Sequence, residues 1–180
     1  MMELEKEQAV VNLVKEAFED AEADVQRARR VRIKIAPNRV FPLVAFLKAN
    51  GFNHFVTITA VDWIKDGEIE LIYHLWSYTR KVHVMVKTRI PRDGGKMPTL
   101  KPLFNQAETY ERDVHEFFGV YFEGNEKLDR DFILEDWDGP PPMRKDFDTR
   151  RFAAEFYGQE DIESDLLKLK IQPYKGKLMQ

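Results

Sequence analysis

The chain has 180 residues, with 28 Lys and Arg against 31 Asp and Glu, a net charge of −3 and no cysteine. The absence of cysteine excludes disulfides, thiolate zinc sites and cysteine-ligated iron–sulfur clusters built from these residues, and it favours an intracellular setting. The near-neutral charge argues against a dedicated nucleic-acid binder, and a charged fraction of 33% suits a thermophilic protein. No apolar run reaches the roughly 18–20 residues that a membrane-spanning helix needs.

The first half of the chain predicts helices and a small sheet. Residues 3–22 place apolar side chains at helical spacing among Glu and Lys, which predicts an amphipathic helix. Residues 31–35 alternate apolar and charged side chains, which is typical of a strand. Residues 42–50 predict a short apolar helix that begins with Pro42 and ends before Gly51.

Three β-rich segments then predict an antiparallel meander over residues 52–62, 68–78 and 82–90. A further helix is predicted over residues 106–118, with Gly119 as its stop signal. The expected fold is therefore α+β, with a small, mainly antiparallel sheet packed against helices.

The last part of the chain predicts an arm rather than a second core. Residues 138–142 read DGPPP, and consecutive prolines favour extended polyproline geometry. We therefore expect an α+β domain over residues 1–137 and an extended C-terminal arm over residues 138–180, with a short helix over residues 161–171. Aromatic side chains on such an arm either dock on a partner or fold back on the sheet.

Two polar clusters are candidates for chemistry. His54, His74 and His83 lie one on each predicted strand, so neighbouring strands can bring two of them together, although a third ligand for a metal is not evident. On the helix at residues 106–118, Glu111 shares a face with His115, and Arg112 is placed to form an ion pair with Glu116. A free-standing metal-dependent enzyme using Glu111, His115 and Glu116 is the alternative function.

A basic run covers residues 27–34 and carries five positive charges. Such a run can contact RNA or an anionic lipid surface. Acidic residues nearby and the lack of interleaved aromatic residues favour a solvated edge instead.

Three ordered motifs resemble one family. Residues 110–122 (YERDVHEFFGVYF) resemble the signature of the C subunit of NADH:quinone oxidoreductase, which is the 30-kilodalton subunit family of complex I. Residues 143–147 (MRKDF) resemble its second motif, and TAVDW at residues 59–63 with IYHL at residues 72–75 resemble its strand motifs. Asp113 stands where the family has Glu, and Glu116 stands where it has Asp. LEDW at residues 134–137 resembles the versions in membrane-bound group 4 [NiFe] hydrogenases and related archaeal respiratory complexes.

The resemblance implies a non-catalytic peripheral-arm subunit of a membrane-bound redox complex, which could be a hydrogenase, a sulfur-reducing enzyme or a ferredoxin- or quinone-linked oxidoreductase. It implies that the chain binds no cofactor, and that the partners are a large 49-kilodalton or hydrogenase-large-like subunit and iron–sulfur subunits, which carry the clusters and possibly NiFe. The chain would bind no nucleic acid and would lie on the cytoplasmic face of the membrane, which it contacts only through the complex. The implied interface and structural motif residues are Glu111, Arg112, Asp113, Glu116, Phe117, Gly119, Trp137, Arg144, Lys145, Asp146 and Phe147.

Overall fold

A five-stranded sheet is the centre of the computed structural model, which describes residues 4–157. The chain begins with helix α1 (Glu5–Ala17) and a hairpin of strands β1 (Glu22–Arg27) and β2 (Arg30–Lys34). A short 3₁₀ turn (Pro37–Arg39) leads into helix α2 (Val40–Ala49). The strands of the predicted meander follow as β3 (His54–Trp63), β4 (Glu68–Ser77) and β5 (Val82–Pro91).

The strand order is β1-β2-β5-β4-β3, and all neighbours are antiparallel except β2 and β5, which are parallel. The predicted α+β class with a mainly antiparallel sheet is therefore confirmed. Strand β1 was missed, and the helix predicted over residues 3–22 ends at Ala17. Only Ala23 of this edge strand is buried, so its apolar alternation is weak in the sequence.

The hydrophobic core lies between one face of the sheet and the helices. Alternate strand residues such as Ile33, Leu71 and Val84 are fully buried, and they belong to the same cluster as Val14 of α1 and Leu43 of α2. This alternation follows from the two-residue period of a strand with one buried face.

The other face of the sheet carries polar side chains, among them the two histidines of β4 and β5. His74 and His83 stack with ring centroids 5.2 Å apart, and Nδ1 of His74 lies 3.2 Å from Nε2 of His83. Burial lowers the pKa of His74 to about 4, and the neighbouring charge of His83 adds to this shift. The two histidines therefore contact each other as the sequence suggested, and no group of three His, Asp or Glu side chains suited to a metal occurs among residues 4–157.

The segment after the sheet contains strands β6 (Lys96–Pro98) and β7 (Tyr121–Glu123), which pair in parallel, and helix α3 (Ala107–Phe118) between them. Residues 124–145 form turns and bends without helix or strand. None of the helices in the described part of the chain is both long enough and apolar enough to cross a bilayer.

The chain divides into two compact units after Lys145, whereas the sequence placed the division after residue 137. The second unit starts at Asp146 and contains helix α4 (Thr149–Tyr157) where an extended arm was expected. The Asp148 carboxylate begins this helix by accepting hydrogen bonds from the Arg150 and Arg151 amides at 3.0 and 3.1 Å. The helix predicted over residues 161–171 lies outside the described residues.

Candidate interaction site at the end of helix α3

Glu111 is the buried anchor of helix α3. Its carboxylate accepts hydrogen bonds from the Thr99 hydroxyl at 2.6 Å, the Leu100 amide at 2.7 Å and the Asn125 side-chain amide at 2.9 Å. Burial raises the pKa of Glu111, and these hydrogen bonds oppose the rise by stabilising the anion. The side chain therefore joins the helix to the two segments that flank it in sequence.

Arg112 and Glu116 both bind the backbone of the loop at residues 130–134, Arg112 through its carbonyl oxygens and Glu116 through its amides. The Arg112 guanidinium donates to the carbonyl oxygens of Arg130 and Asp131 at 3.0 and 2.7 Å. The Glu116 carboxylate accepts from the amides of residues 132–134, at 2.9 Å from Ile133. The expected Arg112–Glu116 ion pair was wrong, because the described contacts of both side chains go to this loop.

The three residues of the alternative metal site point to different partners. Glu111 faces the interior, Glu116 binds the loop, and His115 donates its Nδ1 proton to the Val120 carbonyl oxygen at 2.8 Å. A metal centre needs ligands that converge on one point. The geometry therefore does not bring Glu111, His115 and Glu116 together as ligands of one metal ion.

Gly119 ends helix α3 with a left-handed backbone, at φ +74°, and its amide donates to the His115 carbonyl at 2.8 Å. A Cβ atom at this position would lie 3.0 Å from Cγ of Pro141 and 3.1 Å from Nη2 of Arg144. Glycine is therefore required twice, for the helix stop and for the close approach of residues 141–144.

Arg144 joins the second motif to the end of the helix. Its guanidinium donates to the Phe118 carbonyl, the Arg92 carbonyl and the Asp93 carboxylate, each at 2.8 Å. The amide of Met143 also donates to the Phe117 carbonyl at 3.0 Å. The last carbonyls of a helix otherwise lack partners, so a cation here is favourable.

Asp62, at the end of β3, anchors the same segment from the sheet. Its buried carboxylate accepts hydrogen bonds from Nε and Nη2 of Arg92 at 2.9 and 3.2 Å, and from the Lys145 amide at 2.8 Å. The hydrogen bonds from Arg92 hold the pKa of this carboxyl below its usual range, against the effect of burial. Asp62 therefore connects the meander with residues 144 and 145.

Three large apolar side chains are exposed around the end of α3. Ile133 is 53% exposed, Met143 59% and Tyr121 41%, although each is attached through backbone or ring contacts to residues of the helix. A shallow cavity of about 270 Å³ opens between the helix end and residues 128–141. Methionine and aromatic side chains are enriched in protein interfaces relative to the rest of the surface.

The remaining predicted site residues fall in both units. Asp113 lies half-buried on α3, and burial followed by the charge of Glu116 raises its pKa. Trp137 lines the cavity and donates from its indole nitrogen to the Pro140 carbonyl at 3.2 Å. Asp146 and Phe147 belong to the second unit, where the Phe147 ring lies 5.4 Å from that of Phe152. The role of the motif residues at a subunit interface stays a prediction.

Four residues of this cluster were missed as site residues, namely Asp62, Arg92, Thr99 and Asn125. Asp62 stands in the TAVDW segment, so its signal was present in the sequence. Thr99 and Asn125 give no such signal, because they become partners of Glu111 only when the segments before and after α3 fold onto it.

The fold is a small α+β domain in which the motif residues fix the segments around helix α3. Residues 33–153 match the family model described as the respiratory-chain NADH dehydrogenase 30 Kd subunit. The chain belongs to this family and is a subunit of a complex I-related redox complex.

Curated relatives include the C subunit of the F420H2 dehydrogenase of Methanosarcina mazei, 29% identical over 129 residues, which are 71% of this chain and 82% of that protein. The C subunit of the NADH-quinone oxidoreductase of Geobacter sulfurreducens is 31% identical over 147 residues, or 79% of this chain and 90% of that protein. The mitochondrial NADH dehydrogenase iron-sulfur protein 3 of Candida albicans is 34% identical over 134 residues, covering 71% of this chain, which spans only 47% of that relative.

Two solved structures share the fold. A chain in the membrane-bound sulfane sulfur reductase, an archaeal respiratory membrane complex, is 46% identical with a TM-score of 0.79, over 83% of this chain and 90% of that one. A trypsin-resistant fragment of Nqo5 is 20% identical with a TM-score of 0.57, over 67% of this chain and 97% of that one, which supports the fold alone.

Proposed function

We propose that the chain is a non-catalytic peripheral-arm subunit of a membrane-bound respiratory complex of the archaeal sulfur-reductase and hydrogenase type. In this role it binds the large subunit and helps to seat the iron–sulfur subunits. It lies on the cytoplasmic face and meets the membrane only through the other chains.

The observation that carries the proposal is the 46% identity and 0.79 TM-score to a chain of the sulfane sulfur reductase. Identity at this level over 83% of the chain supports a similar place in a similar complex. The same likeness leaves the terminal reaction of this chain's own complex open to a sulfur-reducing or a hydrogen-evolving partner.

The chemistry of the chain supports a scaffolding role. These 180 residues contain no cysteine, so they supply no thiolate to an iron–sulfur cluster, and the partner chains would carry the clusters and any NiFe centre. The polar motif residues Glu111, Arg112 and Glu116 are used to hold backbone segments in place. A surface whose backbone is fixed in this way suits a stable interface with another subunit.

The experiment is co-purification of the complex through a tag on this chain. We expect Ile133→Asp and Met143→Asp each to reduce recovery of the large subunit and of iron in the eluate by about tenfold, because a buried apolar anchor is worth about 1–2 kcal/mol at an interface. Both side chains are exposed in the isolated chain, so its thermal midpoint should hardly change.

Ala9→Asp is the control, since it adds the same charge at an exposed site on α1. It should leave the recovery of partners at the wild-type level. Full recovery of the large subunit with the Ile133 and Met143 variants would contradict docking through this surface. Failure of the wild-type chain to recover any iron-containing partner would contradict the proposed function itself.

A further inference from the structure

An open groove lies at the far end of the polar sheet face, where the β1–β2 hairpin meets β3, β4 and β5. Its volume is about 640 Å³, and its lining includes three arginines and three aromatic rings. These six residues are Arg27, Arg29, Arg30, His54, Trp76 and Tyr78.

The three arginines differ from the other cations of this sheet face. Arg32 pairs with Asp24, Lys34 with Glu22, Lys87 with Glu70, and Arg89 with Glu68 and Asp66. By contrast, the side chains of Arg27, Arg29 and Arg30 form no ion pair within residues 4–157. The groove therefore gathers three arginines that have no ion-pair partner in the described part of the chain, on a chain of net charge −3, and the neighbouring carboxylate, that of Glu7, binds the backbone amide of Arg29.

The hairpin turn places an arginine where glycine would be easier. Arg29 has a left-handed backbone with φ 61°, a conformation that is unfavourable for a non-glycine residue. Its amide donates to the Glu7 carboxylate at 2.5 Å, and its carbonyl accepts the His83 amide at 2.9 Å. The turn is thus held on both sides, which fixes the direction of the hairpin.

Aromatic rings from other strands complete the groove. Tyr78 is 69% exposed, and its ring lies 6.2 Å from that of Trp76 and 5.5 Å from that of His54. The sequence offered no aromatic residues near residues 27–34, so only the fold brings them beside the arginines. Arginine, tyrosine and tryptophan are the residue types enriched among the residues that contribute most to binding energy in protein interfaces.

The positive charge of the arginines also affects His83, which lines the same groove. Burial lowers the pKa of His83, and the charge of Arg30 lowers it further. A neighbouring carboxylate would normally cancel such an effect. An anionic partner is therefore the occupant that this groove complements.

We propose that the groove lined by Arg27, Arg29, Arg30 and Tyr78 binds an acidic segment, bearing an apolar or aromatic side chain, of a neighbouring subunit in the same complex. This inference rests on the proposed function, because it needs the complex. A protein segment fits better than RNA, since the ion pairs of Arg32, Lys34 and Lys87 leave no continuous basic track for a phosphate backbone.

The test is photo-cross-linking in the purified complex with p-benzoylphenylalanine in place of Tyr78. We expect a cross-link to a peptide of another subunit in which Asp and Glu outnumber Lys and Arg, identified by mass spectrometry. The same photoreactive residue at Ala9, an exposed position on α1, is the positional control and should give no cross-link to that peptide.

Charge dependence is tested with two arginine variants in the cross-linking background. The double change Arg29→Gly with Arg30→Gln should lower the cross-link yield about fivefold, since one exposed and one partly exposed charge contact contribute about 1 kcal/mol together. Arg29→Gly removes the backbone strain at the turn, so this part of the double change should not destabilise the fold. Arg32→Gln removes the same charge from an ion-paired arginine and should change the yield less than twofold.

Three outcomes would overturn the inference while the complex still forms. The first is that position 78 gives no cross-link, and the second is that it cross-links to RNA or to a segment without an excess of acidic residues. The third is that the substitutions at Arg29 and Arg30 leave the cross-link yield unchanged. If the wild-type chain recovers no complex at all, the proposed function fails first and this inference falls with it.

Discussion

Glu111→Ala should lower the free energy of unfolding by about 3 kcal/mol or more. The change leaves the Leu100 amide and one N–H of the Asn125 side chain, whose nitrogen also donates to the Glu108 carbonyl, without an acceptor in a buried site, and each buried donor left unpaired costs about 1–3 kcal/mol. The Thr99 hydroxyl also loses its acceptor. Urea unfolding of the isolated chain at pH 7 measures the effect.

Glu111→Gln is the matched control, because the amide keeps the size of the side chain and one acceptor oxygen. Its cost should be less than half of that of Glu111→Ala, since burial already disfavours the carboxylate charge, as the raised pKa of Glu111 indicates. If the free energy of unfolding of Glu111→Ala lay within about 1 kcal/mol of the wild-type value, Glu111 would not be the anchor of α3.

Asp62→Asn should cost about 3 kcal/mol at pH 7, because it removes the charge that pairs with a guanidinium only 12% exposed. The change also weakens the hydrogen bond from the Lys145 amide, which ties the second motif to the sheet. Asp24→Asn is the control, since it breaks a half-exposed ion pair with Arg32 and should cost less than about 1 kcal/mol.

The effect of Asp62 should depend on pH with a definite sign. The pKa of Asp62 is lowered in the folded chain, so its contribution is present above the unfolded pKa of about 3.9 and is lost as the pH falls through the folded value. The difference between wild type and Asp62→Asn in urea should therefore shrink below about pH 4. A difference that stays constant down to about pH 2 would contradict the ion pair.

Much of the fold could be predicted because its elements carry local signals. The meander was found within two residues of β3, β4 and β5, since apolar alternation and the turn at residues 64–67 mark it. Strand β1 and the parallel pairing of β2 with β5 were missed. Pairing between strands distant in sequence is decided by packing of the whole sheet, and no local pattern encodes it.

The candidate site could likewise be predicted only in those features that depend on residues close together in the sequence. Gly119 was recognised as the helix stop from its residue type, whereas its close contact with Pro141 and Arg144 depends on how a distant segment returns. Spacing on α3 suggested an ion pair of Arg112 with Glu116, but the loop at residues 130–134 offers both side chains backbone partners. Helical spacing gives the candidates for a contact, and the fold decides between them.

The contacts of α3 explain how residues 130–134 and 143–145, which form no helix or strand, are held in place, as the proposed docking requires. Residues 130–134 are held by Arg112 and Glu116, and residues 143–145 by Phe117, Phe118 and Asp62 through backbone and side-chain contacts. Ordering these segments before association reduces the entropy lost on binding. Their exposed apolar side chains are then free to contact a neighbour.

Amide hydrogen exchange of the isolated chain and of the purified complex tests this account most directly. The account predicts that the amides of residues 132–134 and 143–145 exchange at least about tenfold more slowly in the complex, while the amides of α1 exchange at the same rate in both. Equal exchange at residues 132–134 and 143–145 in the two samples would contradict the claim that the end of α3 is where this subunit meets its partner.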